Sequence, residues 1–142
     1  MKYFLIILFV LTLTFPVNSK EKSFFKEAKR LFEEEKYEES KFLFQRNIVY
    51  NPKDAKSYIY LAKIFNEQKN DGEKEKNLNT ALLLDPTNED AMFMIINIEL
   101  DKSNYSKVKE LKTNFKKICK NLCNKIQNIE DSLKDIEPKN ES

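Results

Sequence analysis

The sequence predicts an all-α protein built from helical hairpins. Glycine occurs once and proline four times in 142 residues, so the chain has few of the residues that tight turns require. Apolar residues recur at steps of three and four along most of the chain, as they do on one face of a helix. Pro52 and Pro86 lie 34 residues apart, and each follows such a pattern. We therefore expect paired helices that repeat at this interval.

The first 19 residues have the form of a secretory signal peptide. Lys2 supplies a positive start, Tyr3 to Val17 is almost entirely apolar, and Ser19 suits the last position before cleavage. An uncleaved membrane anchor is the alternative, although about 15 apolar residues span only about 22 Å of a ~30 Å hydrocarbon core. We expect a mature chain that begins at Lys20 and is exported to the periplasm or cell envelope.

The composition argues against several classes of functional site. The absence of histidine removes Ser-His-Asp and Cys-His catalysis and most zinc sites. A formal net charge of +2 lacks the basic excess that nucleic-acid binding requires. The acidic runs at 33–35 and 130–131 are expected on solvated helix faces rather than as acid–base pairs. We predict no enzymatic activity, no catalytic residue, no cofactor, no metal and no nucleic-acid partner.

Four amphipathic segments make up the first two predicted hairpins. Their apolar faces carry Phe24, Ala28, Leu31 and Phe32, then Tyr37, Ser40, Phe44 and Ile48, then Tyr58, Leu61, Ala62 and Phe65, and last Leu78, Ala81 and Leu82. The second and fourth segments end before Pro52 and Pro86, because proline lacks an N–H and disfavours helix at the preceding residue. Asp71 is predicted as the N-cap of the fourth segment.

Three further amphipathic segments predict a third hairpin and a final helix. Their apolar residues are Ala91, Met92, Ile95 and Ile98, then Tyr105, Val108, Leu111 and Phe115, and then Leu122, Ile126, Ile129, Leu133 and Ile136. The last segment, about 121–136, is predicted to cap the exposed end of the third hairpin. Residues 137–142 are polar, and we expect them to form a disordered tail.

These patterns resemble tetratricopeptide repeats. With each proline at repeat position 32, the repeats span about 21–54, 55–88 and 89–118, and position 8 is Ala28, Ala62 and then Ile96. The third repeat departs from the family further, with Lys112 at position 24 and Lys120 in place of proline. The resemblance implies an α-solenoid of three stacked hairpins within a domain at 20–136. An unrelated bundle of three hairpins is the alternative.

The resemblance also implies a concave face lined by the first helix of each repeat. The predicted partner-binding residues on that face are Phe25, Lys29, Phe32, Ile59, Lys63, Phe93 and Asn97, and Lys56 and Asp90 lie at further inner positions. Such a face would bind a peptide or helix, so we predict a non-enzymatic scaffold or adaptor. Packing of these residues against neighbouring helices is the competing interpretation. A membrane-anchored assembly factor, with the leader retained, is the alternative function, and only that version contacts a membrane.

Cys119 and Cys123 are the only cysteines, and three interpretations of them remain open. They are two small buried hydrophobes, a disulfide formed after export, or a redox or metal-binding pair. The metal interpretation has little support without histidine or a second cysteine pair. A continuous helix would place their Cα atoms about 6 Å apart, near the edge of disulfide geometry.

Overall fold

The computed structural model describes residues 24–134, and this part of the chain forms seven α-helices and no β-strand. The helices are α1 (Phe24–Glu33), α2 (Tyr37–Tyr50), α3 (Ala55–Glu67), α4 (Asp71–Leu84), α5 (Glu89–Asp101), α6 (Tyr105–Ile118) and α7 (Lys125–Lys134). The predicted all-α class is confirmed for the described residues. None of these helices is both long and apolar enough to cross a bilayer. The predicted signal peptide and tail lie outside the described residues.

The helix boundaries recur every 34 residues. Helices α2, α4 and α6 each contain 14 residues and begin at Tyr37, Asp71 and Tyr105. Helices α3 and α5 each contain 13 residues and begin at Ala55 and Glu89, where the resemblance to tetratricopeptide repeats implies that repeats start. The spacing of the two prolines therefore reflects a spacing of whole helix pairs.

Each helix packs against the next one along the chain. The contacts within the α1–α2 and α3–α4 pairs are the most extensive, and α1 also touches α3. A smaller apolar cluster joins the first two pairs and consists of Ala28, Phe44, Leu61 and Ile64. A larger cluster runs from Ile59 to Leu133. Because α3 contributes residues to both clusters, it connects the two halves of the core.

Small buried residues allow the helices of a pair to approach closely. Ala28 and Ala62 are completely buried, and the Ser40 hydroxyl donates to the Ala28 carbonyl oxygen at 2.8 Å. Ile96 occupies the same repeat position in α5 and is also completely buried. The third pair therefore tolerates a larger residue where the first two have alanine.

A buried polar network joins α2 to α3. The Asn47 amide donates to an oxygen of Asp54 at 2.9 Å and to the Ser57 hydroxyl at 3.0 Å, and that hydroxyl donates to Asp54 at 2.7 Å. Asn47 and Ser57 are buried, so each needs these partners to offset its loss of hydration. Ala81 and Ala91 occupy the positions equivalent to Asn47 and Ser57 one repeat later, and both pack in the apolar core.

The turn inside each helix pair has the same backbone geometry. Glu35, Lys69 and Ser103 lie 34 residues apart and have φ angles of 59°, 55° and 57°, in the left-handed region. In the second turn, the Lys69 N–H donates to the Asn66 carbonyl and the Asn70 N–H donates to the Phe65 carbonyl. These bonds form a Schellman motif, which glycine favours at the left-handed residue. None of the three residues is glycine.

Replacing Lys69 with glycine is expected to stabilise the protein by about 1 kcal/mol. The left-handed conformation costs an L-residue roughly 1–2 kcal/mol, and glycine adopts it without a steric penalty. Chemical denaturation followed by circular dichroism measures the change. Lys69→Ala is the matched control, because alanine retains a Cβ and is expected to give no gain. A glycine variant that is no more stable than the alanine variant would contradict this explanation.

One cap and the start of the last helix differ from the sequence predictions. Asn70, rather than Asp71, is the N-cap of α4, and its side chain accepts from the Glu73 N–H at 3.2 Å. Asp71 is the first residue of the helix. The final helix begins at Lys125 rather than at about 121, because the chain leaves the helix at Cys119, where ψ is 139°. No proline or glycine marks this break in the sequence.

Candidate functional site

A pocket of about 290 Å³ lies where α1, α3 and the start of α5 meet. It is lined by Phe25, Lys29, Lys56, Ile59, Tyr60, Lys63, Asn88 and Asp90. Four of the seven predicted partner-binding residues are in this lining, namely Phe25, Lys29, Ile59 and Lys63. Lys56 and Asp90, predicted at inner positions, line it as well. We call this surface the groove pocket.

Aromatic packing forms the apolar part of the groove pocket. The Phe25 ring meets the Phe44 ring edge-on at 5.5 Å and the Tyr60 ring at 5.7 Å, measured between centroids. Phe44 in turn stacks on Tyr60 at 4.9 Å. Ile59 is only 5% exposed and belongs to the larger core cluster. Phe25 and Ile59 therefore serve the fold and line the pocket at the same time.

Three lysines give the groove pocket its positive charge. Lys29 pairs with Glu33 at 3.3 Å, and Lys63 pairs with Asp90 at 3.7 Å. The Lys63 ammonium also lies 5.4 Å from the centroid of the Tyr60 ring. Both ion pairs are partly exposed and therefore weak, so an incoming carboxylate can compete with Glu33 and Asp90.

Tyr60 is the main pocket residue that the sequence patterns do not single out. It follows Ile59 directly, and its ring contacts Phe25, Phe32, Phe44 and the Lys63 ammonium. Burial raises the pKa of the Tyr60 hydroxyl, while the Lys29 charge opposes this shift. The hydroxyl is therefore neutral at physiological pH. The spacing of apolar residues in α3 does not place Tyr60 on the buried face of that helix. Its ring instead reaches across to the first hairpin, where it contacts Phe25, Phe32 and Phe44.

The other three predicted partner-binding residues lie outside the groove pocket. Phe32 packs against Tyr37 at 5.6 Å and against Tyr60 at 5.2 Å. Phe93 lies against Phe115 at 6.1 Å and below the Lys125 ammonium at 5.8 Å. Asn97 is exposed on α5. Phe25, Ile59 and Phe93 share one repeat position, but only the first two line this pocket.

Cys119 and Cys123 are joined by a disulfide, with their Cα atoms 5.3 Å apart. The bond closes the connection between α6 and α7. Backbone N–H groups in this connection bind the carboxylate of Glu89, which is the first residue of α5. The Asn121 N–H donates to it at 2.9 Å and the Leu122 N–H donates to it at 2.7 Å. Glu89 thus holds the disulfide-closed loop against the start of α5.

The Glu89 contact predicts a pH dependence of stability. Backbone N–H groups, that of Leu122 first and that of Lys120 next, hold the pKa of the Glu89 carboxyl below its unfolded value of 4.5. Because the folded pKa is the lower one, the ionised carboxylate stabilises the fold above pH 4.5. That contribution is lost as the pH falls through the folded pKa.

Glu89→Gln is therefore expected to lower the melting temperature at neutral pH, and its difference from wild type should shrink as the solution is acidified. Thermal melts of the two proteins across the acidic range measure this. A difference that stays constant down to the lowest pH would show that the carboxylate charge is not what binds the loop.

Other chemistry is sparse in the described part of the chain. No group of three or more acidic or cysteine residues within 24–134 could hold a metal ion. Over the same residues, every buried side-chain nitrogen and oxygen atom has a hydrogen-bond partner. Comparison with known proteins found no family model that matches the chain and no curated protein with significant similarity to it.

Proposed function

We propose that this protein is a tetratricopeptide-like solenoid whose concave side binds a segment of another protein. The 34-residue recurrence of helix boundaries and of left-handed turns supports three stacked copies of one hairpin unit. Such a unit cannot bury its apolar face alone, and neighbouring copies cover it. In this arrangement α1, α3 and α5 line the inner side, and α7 covers the last hairpin.

The observation that carries the proposal is the combination of lysines and an apolar floor in one pocket. Lys29, Lys56 and Lys63 surround Phe25 and Ile59. Lysine side chains attract carboxylates, whereas the rings and the isoleucine favour an aliphatic or aromatic side chain. The occupant is therefore a peptide or helix that contains both acidic and large apolar residues. A scaffold or adaptor of this kind needs neither cofactor nor metal.

The proposed setting is the periplasm or cell envelope. The basis is the leader at 1–19, which has the charge and length of a cleavable signal peptide. A disulfide between Cys119 and Cys123 agrees with an oxidising compartment. Release of the leader would give a mature chain that begins at Lys20.

Selection from a random peptide library tests the proposed function directly. Wild-type protein is expected to enrich peptides that combine aspartate or glutamate with large apolar residues. A variant with Lys29→Gln and Lys63→Gln is expected to lose that enrichment, whereas one with Lys76→Gln and Lys134→Gln should keep it. The control removes the same charge from lysines outside the groove pocket. Equal enrichment by all three proteins would overturn the proposal.

One observation favours the alternative, a membrane-anchored assembly factor. Four large apolar side chains are exposed on α2 and α4, namely Phe42, Val49, Tyr50 and Leu83. Phe24, the first described residue, lies against Tyr50 at 5.6 Å, so the described part of the chain begins beside this surface. Mass measurement of the membrane-bound and released protein distinguishes the two functions. An intact Met1 in the membrane fraction, with no chain that begins at Lys20, would support the anchored form.

A further inference from the structure

The loop after α6 connects a redox-active group to the last helix. Its disulfide joins Cys119, which is partly buried, to Cys123, which is exposed. Helix α7 begins two residues after Cys123. Between the two cysteines, the N–H groups of Asn121 and Leu122 converge on the Glu89 carboxylate. A short disulfide-closed ring limits the conformations of this loop, and so keeps those N–H groups directed at one acceptor.

Helix α7 lies at the end of the predicted apolar strip. Its first residue, Lys125, places an ammonium 5.8 Å above the Phe93 ring, and Phe93 packs on Phe115. Phe93 has the same repeat position as Phe25 and Ile59, which line the groove pocket. The first residue of α7 therefore lies over the third member of the strip, Phe93, whose ring is partly exposed, whereas Ile59 is buried.

The attachment of α7 depends on few contacts. Ile129 and Leu133 are its buried residues, and Glu130 pairs with Lys116 at 2.8 Å and with Lys112 at 3.4 Å. The described part of this helix has 10 residues, and most of the stability of a protein helix comes from tertiary packing of its apolar face. Its helical state therefore depends on docking, and docking depends on the loop that positions it.

We propose that the Cys119–Cys123 disulfide is a redox latch that controls access to Phe93. A dithiol reductant opens it by thiol–disulfide exchange. One thiolate of the reductant attacks the exposed Cys123 sulfur, the S–S bond breaks, and the Cys119 thiolate leaves and takes up a proton. The second thiol of the reductant then attacks the mixed disulfide and releases Cys123 as a thiol. The protein gains two electrons and two protons, and the reductant becomes a disulfide.

Opening the latch releases the start of α7. Without the bond, the loop samples many conformations. The equilibrium constants for its contact with Glu89 and for the docking of α7 each fall by about tenfold. The Lys125 ammonium then leaves the Phe93 ring, so more of this ring becomes available to a partner. This consequence rests on the proposed groove function. The release of α7 does not rest on that function, and it is measured without any partner.

Hydrogen exchange of the full chain tests the latch. After complete reduction with dithiothreitol, verified by alkylation of both thiols, exchange in residues 125–134 is expected to rise at least fivefold. Exchange in α1 to α4 is expected to change less than twofold. The Cys119→Ser/Cys123→Ser variant should show the same exchange as reduced wild type, both with and without the reductant. Glu89→Gln should raise α7 exchange while the disulfide is intact. Unchanged exchange in α7, or equal loss of protection in every helix, would overturn the proposal.

A fluorescence measurement reports the solvent exposure of position 93. The chain has no tryptophan, so Phe93→Trp introduces a single reporter. Acrylamide quenching of that reporter is expected to rise at least twofold on reduction. Phe42→Trp is the control, because Phe42 is already 60% exposed and lies far from the latch in the sequence. Quenching at position 93 that does not respond to reduction would overturn the proposal, whatever the peptide-selection experiment shows. If quenching at position 93 does respond to reduction but wild-type protein enriches no acidic peptides, only the groove function is overturned.

Discussion

Replacing Phe44 with alanine is expected to lower the free energy of unfolding by about 3–5 kcal/mol, the usual cost of a buried Phe→Ala change. The Phe44 side chain is completely buried, stacks on Tyr60 at 4.9 Å and meets the edge of Phe25 at 5.5 Å. Its removal leaves a cavity between the first two hairpins. Because Phe25 and Tyr60 line the groove pocket, peptide binding should weaken together with stability. Urea denaturation monitored by circular dichroism measures the loss.

Phe42→Ala is the matched control for this prediction. Phe42 lies two residues earlier on α2, and its side chain is 60% exposed. The same chemical change at this position is expected to alter stability by no more than about 0.5 kcal/mol. Equal losses for the two variants would mean that α2 is not oriented with Phe44 toward the core.

The double variant Lys29→Gln/Lys63→Gln is expected to bind a library-selected acidic peptide at least tenfold more weakly than wild type. A hydrogen bond to a charged group contributes about 1.5–3 kcal/mol, and about 1.4 kcal/mol corresponds to tenfold in affinity. Stability should change little, because both lysines are partly exposed and their ion pairs contribute little. Isothermal titration calorimetry of each variant gives the affinity, and a thermal melt gives the stability.

Lys76→Gln/Lys134→Gln is the control for charge. Both lysines are exposed, and neither lines the groove pocket. This variant has the same net charge as the first, so a nonspecific electrostatic effect would weaken binding equally in both. Loss of affinity confined to the groove variant would assign the effect to the pocket.

The repeated helix boundaries were predictable because their signals are local. Pro52 and Pro86 stop helices through a missing N–H and a steric clash, and the apolar steps of three and four identify each buried face. The starts of α3 and α5, at Ala55 and Glu89, follow when each proline is placed at repeat position 32, as the resemblance to tetratricopeptide repeats implies. The positions of Phe25, Lys29, Ile59 and Lys63 in one pocket follow only when the hairpins stack in register, and the resemblance to tetratricopeptide repeats supplied that step.

Other features have no local signal. The left-handed turns at Glu35, Lys69 and Ser103 lack the glycine that usually marks them, although each has the backbone hydrogen bonds of a Schellman motif. The end of α6 depends on a disulfide and on Glu89, which lies about 30 residues away in the sequence. Phe93 has the same repeat position as Ile59, but α7 lies over it, and a repeat pattern does not describe how a cap docks.

The most direct test of the proposed binding function is to map where a selected acidic peptide contacts the protein. Nuclear magnetic resonance titration of isotope-labelled protein reports this residue by residue. We expect the largest chemical-shift changes at Phe25, Ile59, Tyr60 and Lys63, with small changes on the outer side of α2 and α4. Shifts concentrated instead at the exposed Phe42, Val49 and Leu83 would contradict binding at the groove pocket, and would place the partner on α2 and α4.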